Sequence, residues 1–415
     1  LNSISNEVSP RNRYFGTMLP YTPLHYLLLG YGFTALVMTS GNMTDEPIAI
    51  DNEDAFARLS RIADYLLIHN RDIYLRSDDS IVQRTAGACR FIRRSRGYVP
   101  IPVFLKENAP EILACGAELK NTVCLTKGNQ AFVSQHIGDL ENLETLEFFE
   151  LTIDHMKRIL DIDPKLLAYD LHPDYLSTRY ATEQVGVQKI QVQHHHAHIV
   201  SCMAENGLEG PVVGLSFDGT GYGTDGSIWG GEVLVAETDQ FTRVAQLTYV
   251  PMPGGAAAIK EPWRMGVSYL YDAYGDSLWK LNLPMLRQID EKKVRIILEM
   301  ISKKINSPNT SSLGRFFDGI SAIVGIRNQV FFEGQAAMEL EILAGERTKE
   351  TYDYESISGE VHKVLLQPIV IGVVEDLEKG IHSSEISSKF HMTLIRLFAR
   401  LCEVIRKEHS LNRVV

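Results

Sequence analysis

The densest chemistry in this 415-residue sequence is the run His194-His195-His196-Ala197-His198. The residues that follow, Ile199-Val200-Ser201-Cys202-Met203-Ala204, read as helical, and on a helix His194 and His198 fall at i and i+4, on one face. Two imidazoles so placed can bind a single divalent ion, while His195 and His196 point elsewhere. Two histidines remain an incomplete set without a carboxylate or a third imidazole. The nearest acid at an element end is Asp218, which follows the nearly continuous apolar run 212–217, a pattern expected of a strand buried on both faces. Imidazole plus carboxylate suits Fe or Zn better than Ca²⁺. The same cluster also suits a solvated or buried helix start that holds no ion.

Gly221-Tyr222-Gly223-Thr224-Asp225-Gly226 matches G-x-G-x-x-G after a strand, but a dinucleotide turn must open a helix. Here Ile228-Trp229-Gly230-Gly231-Glu232-Val233-Leu234-Val235 follows, β-branched and glycine-interrupted, so the spacing predicts a hairpin. Glycine-rich hairpin turns can cradle phosphate, because missing Cβ atoms let backbone N–H groups converge on an anion; a plain turn fits the same residues. Asp218 beside that turn is placed to hold a metal or a phosphate-bound Mg²⁺. Ser40-Gly41-Asn42 suits either a nucleotide contact or a simple turn. Arg90, Arg93, Arg94 and Arg96 suit phosphate or a solvated basic face. Neither G-x-x-x-x-G-K-[ST] nor G-x-S-x-G occurs, so an ordinary P-loop and a serine-hydrolase elbow are not supported.

These residues need a scaffold, and the composition allows an ordinary globular one of two or three domains: 45% apolar, 22% charged, Gly and Pro near average. The longest apolar run, 24–38, is interrupted and too short for a helix of roughly 20 residues to cross a bilayer, so no membrane association is expected. Lys plus Arg number 41 against 52 Asp plus Glu, and a net charge of −11 argues against nucleic acid as a partner. Five cysteines, an odd number without C-x-x-C, imply reduced thiols and a cytoplasmic location.

Up to about Pro102 the chain alternates a strand candidate (35–39), a polar turn (40–47), an acidic helix (52–62) and strand-like pieces ending in the arginines. Val99-Pro100-Ile101-Pro102 then punctuates it, and a linker is expected between about 99 and 111. A β-meander follows, with strands at 112–117, 122–126 and 131–135 and a second turn at 127–130. A strand at 166–170, the histidine helix, the 212–217 and 228–236 hairpin and a long helix from Ser384 to about Glu408 complete the reading. Polar residues 306–312 and Gly325 mark loops, and Val414-Val415 look like the first residues of a buried strand.

These pieces occur in an order that resembles the HypF family of nickel-iron hydrogenase maturation carbamoyltransferases. The carriers are Thr39-Ser40-Gly41-Asn42, His69-Asn70-Arg71, Ser77-Asp78-Asp79-Ser80, Arg93-Arg94-Ser95-Arg96-Gly97, Gly116-Ala117-Glu118-Leu119-Lys120-Asn121, Ser134-Gln135-His136-Ile137-Gly138-Asp139 and Asp170-Leu171-His172-Pro173-Asp174-Tyr175. The histidine run, Asp218-Gly219-Thr220-Gly221-Tyr222-Gly223, Lys260-Glu261-Pro262-Trp263-Arg264 and Phe332-Glu333-Gly334-Gln335 continue it.

The resemblance implies an α/β fold: the carboxyl part of a YrdC-like domain over 1–102, a linker over 103–111, then a two-lobed actin-like domain with lobe one over 112–210 and a truncated lobe two over 211–415. It implies that carbamoyl phosphate and ATP (with Mg²⁺) form carbamoyl-adenylate and pyrophosphate, and that the carbamoyl group passes to the C-terminal cysteine thiol of the partner HypE, as the precursor of a cyanide ligand. His194, His198 and Asp218 would hold a divalent metal, Fe or Zn, facing each other across the cleft between lobes. Ser40, Asn42, Arg94, Lys120, Gly219, Thr220 and Gly221 would contact nucleotide or carbamoyl-adenylate, and Asp318, Gly334 and Glu339 would lie near the ribose. No residue is assigned as catalytic. The chain is expected to be an internal piece, lacking the acylphosphatase-like and zinc modules, the first half of the YrdC-like domain, a Ser-Gly-Gly loop and a last metal-binding aspartate. Two other readings fit parts of the sequence: a small-metabolite O-carbamoyltransferase, whose module order is reversed, and an assembly module that binds HypE without turnover. A tRNA threonylcarbamoylation factor is disfavoured by the net charge and by the D-G-T-G-Y-G loop.

Overall fold

The structure, a computed structural model, describes residues 4–43, 46–345 and 348–415. Leu1, and Thr44 and Asp45 inside the expected turn 40–47, lie outside the described residues. The chain is α/β and forms two compact units: one of Leu19–His194 with Ala204–Leu208, the other of His195–Met203 and Glu209–Val415 with the residues up to Met18.

The Leu19–His194 unit opens with helices α1 (Pro23–Leu29) and α2 (Asn52–Leu59). α2 begins where Asp51 Oδ1 accepts the N–H groups of Glu53 and Asp54 at 2.8 and 3.1 Å, an N-cap that completes the expected acidic helix. Strands β1 (Ile81–Thr85) and β2 (Ala88–Arg93) form an antiparallel hairpin, and the two residues between them, Ala86 and Gly87, both have positive φ, 50° and 84°. That is the turn whose twist matches paired strands. The expected strand at 35–39 is not formed: the segment is irregular, and Val37 is 77% exposed. Apolar residues become a strand only beside a neighbour that satisfies their N–H and C=O groups, and no described strand pairs with this segment.

A five-stranded sheet carries the rest of this unit, in the order β3 (Val103–Ala109), β5 (Cys124–Val133), β4 (Ile112–Ala114), β6 (Leu166–Asp170), β7 (Gln188–Val192). The segment 103–111, expected as linker, therefore supplies a strand, with Phe104 opposite Gln130 and Ala109 opposite Gly128. The second expected turn, 127–130, is also absent. β5 runs through it, because its polar residues lie at an exposed stretch of strand paired with β3, and Gly128 at φ 58° takes up the irregularity in register. α3 (Leu143–Leu160) covers this sheet with Phe148, Phe149, Ile153 and Met156, packed with Leu113, Cys115, Leu125 and Leu167. Helix α4 (Leu176–Glu183) follows β6.

Helix α5 (His194–Glu205) leads to a seven-stranded sheet. Its long hairpin joins β8 (Val212–Tyr222) to β9 (Ile228–Ala236); β10 (Phe241–Leu247), β11 (Val250–Pro251), β12 (Asn309–Thr310), β13 (Glu355–Ile357) and β14 (His362–Leu365) extend it. β8 was expected to end at Asp218 but continues to Tyr222, with an irregularity in register between Phe217 and Gly221. The Asp218–Gly221 segment is thus a bulged part of the strand, and the turn proper is 223–227. Val414 bridges Val213 in parallel, and Leu215 N–H donates to the Val415 carbonyl at 2.8 Å, as expected of residues that begin a strand.

Among the described residues eight helices belong with this sheet: α6 (Ala257–Lys260), α7 (Trp263–Tyr274), α8 (Pro284–Gln288), α9 (Glu291–Ser302), α10 (Leu313–Val324), α11 (Gln335–Leu343), α12 (Gln367–Glu378) and α13 (Ser383–Glu408). Their apolar faces meet in one core around Tyr269, Phe316, Ile320, Phe390 and Leu397. α10 is capped at its start by Ser312 and ends on Gly325 at φ 88°, the left-handed residue that closes its last turn.

Two glycines set how closely β9 lies against its neighbours. A Cβ on Gly230, whose φ is 153°, would stand 2.5 Å from the Asp218 carbonyl oxygen, and one on Gly231 would stand 2.4 Å from that of Ser311. Gly230→Ala is therefore expected to lower stability by about 2 kcal/mol or more, read as a lower denaturant midpoint at constant m. A loss below about 0.5 kcal/mol would show that the backbone there gives way freely.

Candidate functional site

α5 places the histidines. Ile199 and Met203 anchor its buried side, and a Cβ on Gly214 of β8 would lie 2.2 Å from Ile199 Cδ1, so the missing side chain on the strand makes room for the isoleucine of the helix. This close approach carries His198 to the bulged part of β8, with Nε2 3.9 Å from Asp218 Oδ2. One helical turn earlier, His194 Nδ1 lies 2.7 Å from Asp170 Oδ2 at the end of β6. The metal-ligating atoms of His194, His198 and Asp218 all lie within 4.8 Å of one another. With Nδ1 donating to Asp170, the His194 lone pair is at Nε2, and the carboxylate fixes both tautomer and ring orientation. His195 is fully buried against Trp229 at 5.8 Å between ring centroids, and His196 Nε2 is 2.7 Å from the Glu237 carbonyl oxygen. Two imidazoles and a carboxylate with an oriented ligand fit Fe or Zn.

Beside Asp218 lies the glycine-rich segment. Asp218 Oδ1 accepts the Gly219 N–H at 2.5 Å, and the N-terminus of α10 is seated on the same backbone: Ser312 Oγ lies 2.7 Å from the carbonyl oxygens of both Asp218 and Gly219. A Cβ on Gly314 would be 2.9 Å from Gly219 Cα. Below this contact, fully buried Glu232 accepts from Arg243 Nε at 2.7 Å, from the Ser311 hydroxyl, and from the Gly230 and Gly231 N–H groups at 3.3 and 3.4 Å. Burial raises the Glu232 carboxyl, and Arg243 opposes that shift. Arg243 in turn stacks 3.9 Å over Trp229 and pairs with Asp225 at 3.2 Å, tying the turn of the hairpin to its stem.

The three ribose candidates fall on two neighbouring helices. Asp318, on α10, is buried, and its carboxyl is pushed up to about 6 by burial, with Arg315 opposing and Glu333 adding to the shift. Gly334, at φ 74°, is the N-cap of α11. Glu339, on α11, is held by Arg327 through two bonds of 2.7 Å and by Gln335 Nε2 at 3.1 Å; against the upward push of burial, these bonds keep its carboxyl below the ordinary range.

In the Leu19–His194 unit, Ser40, Asn42, Arg94 and Lys120 line a single cleft of about 590 Å³, together with Arg76, Arg93 and His136. Asn42 Nδ2 also builds its own turn, donating to the carbonyls of Met43 at 2.8 Å and Glu46 at 3.0 Å. Arg94 Nη2 donates to the Tyr98 carbonyl at 3.1 Å and to that of Ile101. Burial, then Arg93, holds His136 below its ordinary range, so a neutral imidazole faces this cleft at neutral pH.

Sequence reasoning assigned no role to Asp170, Glu232 or Arg315. Asp170 carried the same signal as Asp218, an acid at the carboxyl end of an apolar strand. Glu232 and Arg315 were visible only as charges inside otherwise apolar or small-residue runs, a sign of buried pairing.

Three family models match the chain. One, described as the carbamoyltransferase, Kae1-like domain, second subdomain, covers residues 214–415; another, described as the HypF Kae1-like domain, covers 107–205; and that of the Sua5, YciO and YrdC proteins, described as telomere recombination, covers 1–95. Carbamoyltransferase HypF of Synechocystis is 40% identical over 95% of this chain and 53% of its own length. Carbamoyltransferase HypF2 of Cupriavidus necator is 43% identical over 81% of this chain and 44% of its own. A crystal structure of full-length HypF in the phosphate- and nucleotide-bound form is 46% identical and superposes with a TM-score of 0.93 over 98% of this chain and 63% of that one. The T. kodakarensis HypF crystal structure is 35% identical, with a TM-score of 0.91 over 99% and 55%. The chain spans about half the length of the curated relatives it matches.

His194→Ala combined with His198→Ala is expected to abolish retention of Fe or Zn, measured as metal per chain; unchanged stoichiometry would remove these residues from the site. Asp170→Asn should keep the metal but weaken it by about 10–100-fold in a chelator competition, because it removes only the orienting carboxylate.

Proposed function

Because the chain is HypF-like, a YrdC-like segment followed by a Kae1-like, actin-like part of an α/β fold, we propose that it serves as a carbamoyltransferase of nickel-iron hydrogenase maturation. In this reading carbamoyl phosphate is hydrolysed to carbamate and inorganic phosphate, carbamate and ATP yield carbamoyl-adenylate and pyrophosphate, and the carbamoyl group then passes to the C-terminal cysteine thiol of HypE with release of AMP, in the cytoplasm. The observation that carries the proposal is the meeting of His194, His198 and Asp218 within 4.8 Å, beside a glycine-rich backbone clamped by a helix N-terminus. That combination serves a reaction in which charge develops on phosphate and carbonyl oxygens together.

The residues divide the work. In the cleft of the Leu19–His194 unit, Arg76, Arg93, Arg94 and Lys120 supply positive charge for phosphate, while Ser40 and Asn42 place polar groups beside them. At the second site, His194, His198 and Asp218 would hold Fe or Zn, with Asp170 setting the first imidazole. A metal bound there would supply Lewis-acid polarisation of the carbamoyl oxygen or neutralise phosphate charge. The Gly219, Thr220 and Gly221 backbone, half-buried at the first two residues and buried at the third, would present polar main-chain groups to a ligand, and Asp318, Gly334 and Glu339 would provide acceptors and a free-turning backbone for ribose. The five cysteines form no disulfide among the described residues, in keeping with a reducing compartment. Among the described residues no helix is long and apolar enough to cross a membrane.

The test is pyrophosphate release from ATP by the protein at its natural length, followed by mass analysis of the HypE C-terminus. Release should require carbamoyl phosphate, and HypE should gain a thiocarboxamide. Release that depends instead on threonine and bicarbonate would transfer the protein to tRNA modification, and no release with either would favour an assembly module.

A further inference from the structure

An arginine buried away from water costs several kcal/mol unless acceptors meet its donors, and interiors seldom leave one partly unmet. Arg315 departs from that rule. Its side chain is 5% exposed; Nη2 pairs with Asp318 Oδ2 at 2.9 Å, while Nε and Nη1 meet no acceptor among the described residues. Its position is fixed from the backbone outward. Arg315 N–H donates to the capping Ser312 Oγ at 3.1 Å, and the same oxygen touches the Asp218 and Gly219 carbonyls. A Cβ on Gly219 would lie 3.5 Å from Arg315 Nη2, so the guanidinium faces the bulged strand at a residue that offers no side chain to cover it.

Three features of this place select the ligand. The N-terminus of a 12-residue helix presents N–H groups and the positive end of its dipole. A guanidinium matches two phosphate oxygens through its fork. Asp318 pairs with Arg315 at 2.9 Å and Glu333 is close enough to act on its carboxyl, so on that side a chain of phosphates would meet acids whereas a sugar hydroxyl would meet acceptors. Resting on the carbamoyl-adenylate reading above, we propose that Arg315 binds the phosphate of a nucleoside 5′-phosphate lying along Asp218–Gly221, with Asp318 on the ribose side.

The probes are AMP and adenosine, which differ only in the group that Arg315 would hold. Their binding is measured by calorimetry on the full-length protein, the Arg315→Gln variant and the Arg315→Gln/Asp318→Asn double variant, with metal content determined in parallel. The double variant removes both charges and so leaves no lone buried ion if the single variant fails to fold. The unaltered protein should bind AMP about tenfold or more tightly than adenosine, as charge-assisted bonds to phosphate require. In the variants that ratio should fall to within about twofold, with adenosine affinity of Arg315→Gln and metal content unchanged, and Arg315→Lys should restore part of it as a point charge. An AMP preference that survives in the double variant, equal loss of AMP and adenosine binding in Arg315→Gln, or no AMP preference in the unaltered protein would each overturn the assignment. Absence of carbamoyl-phosphate-dependent pyrophosphate release would sink the functional reading while leaving this ratio intact, so the two failures are distinguishable.

Discussion

The site depends on one steric constraint: two stretches of backbone, Asp218-Gly219 on β8 and Ser312-Gly314 at the head of α10, touch with no side chain between them. Side chains at positions 230 or 314 would push them apart, and with them would go the Ser312 hydroxyl that bridges two carbonyls. Everything chemically active in this unit is referred to that contact. Asp218 projects from one side of it, Arg315 from the other, and Gly214, four residues back along β8, receives the helix that carries His198. Glycine there trades backbone entropy for proximity that no other residue permits.

Burying charge under such a contact is expensive, and the protein meets the cost in two ways. Glu232 is saturated, with an arginine, a hydroxyl and two backbone N–H groups around one carboxylate, so its desolvation is offset by bonds that also tie β9 to the loop before α10. Among the described residues the Arg315 and Asp318 side chains are matched only to each other, one turn apart on the same helix. The saturated cluster suits rigidity and the sparse pair suits exchange of partners. That difference between neighbouring charges separates framework from working surface more clearly than exposure does, since all three residues are buried.

Much of the frame was legible along the chain. The histidine helix, the 166–170 strand and the 228–236 strand fall at their expected bounds, because each has an apolar run or period that needs no distant information. The failures share one cause. Whether 35–39 pairs, whether 103–111 is a linker or a strand, and whether 127–130 turns are all decided by a partner strand elsewhere, and local residue types do not carry that information. The same limit hid the buried pairs. Asp170 was readable by the argument that singled out Asp218, whereas Arg315 acquires meaning only when Gly219, 96 positions earlier, is placed beside it.

The pairing of Val414 and Val415 with β8 bears on synthesis. Residues 213–215 of β8 emerge from the ribosome about 200 residues before the segment that hydrogen-bonds along their outer edge, a delay of roughly 10–40 s at ordinary elongation rates. Through that interval a strand rich in valine and leucine has one bare edge, while the Leu19–His194 segments, nearly contiguous in sequence, already have theirs. The nascent chain thus carries β8 with an edge still waiting for its partner, and that interval is when a chaperone's protection matters most.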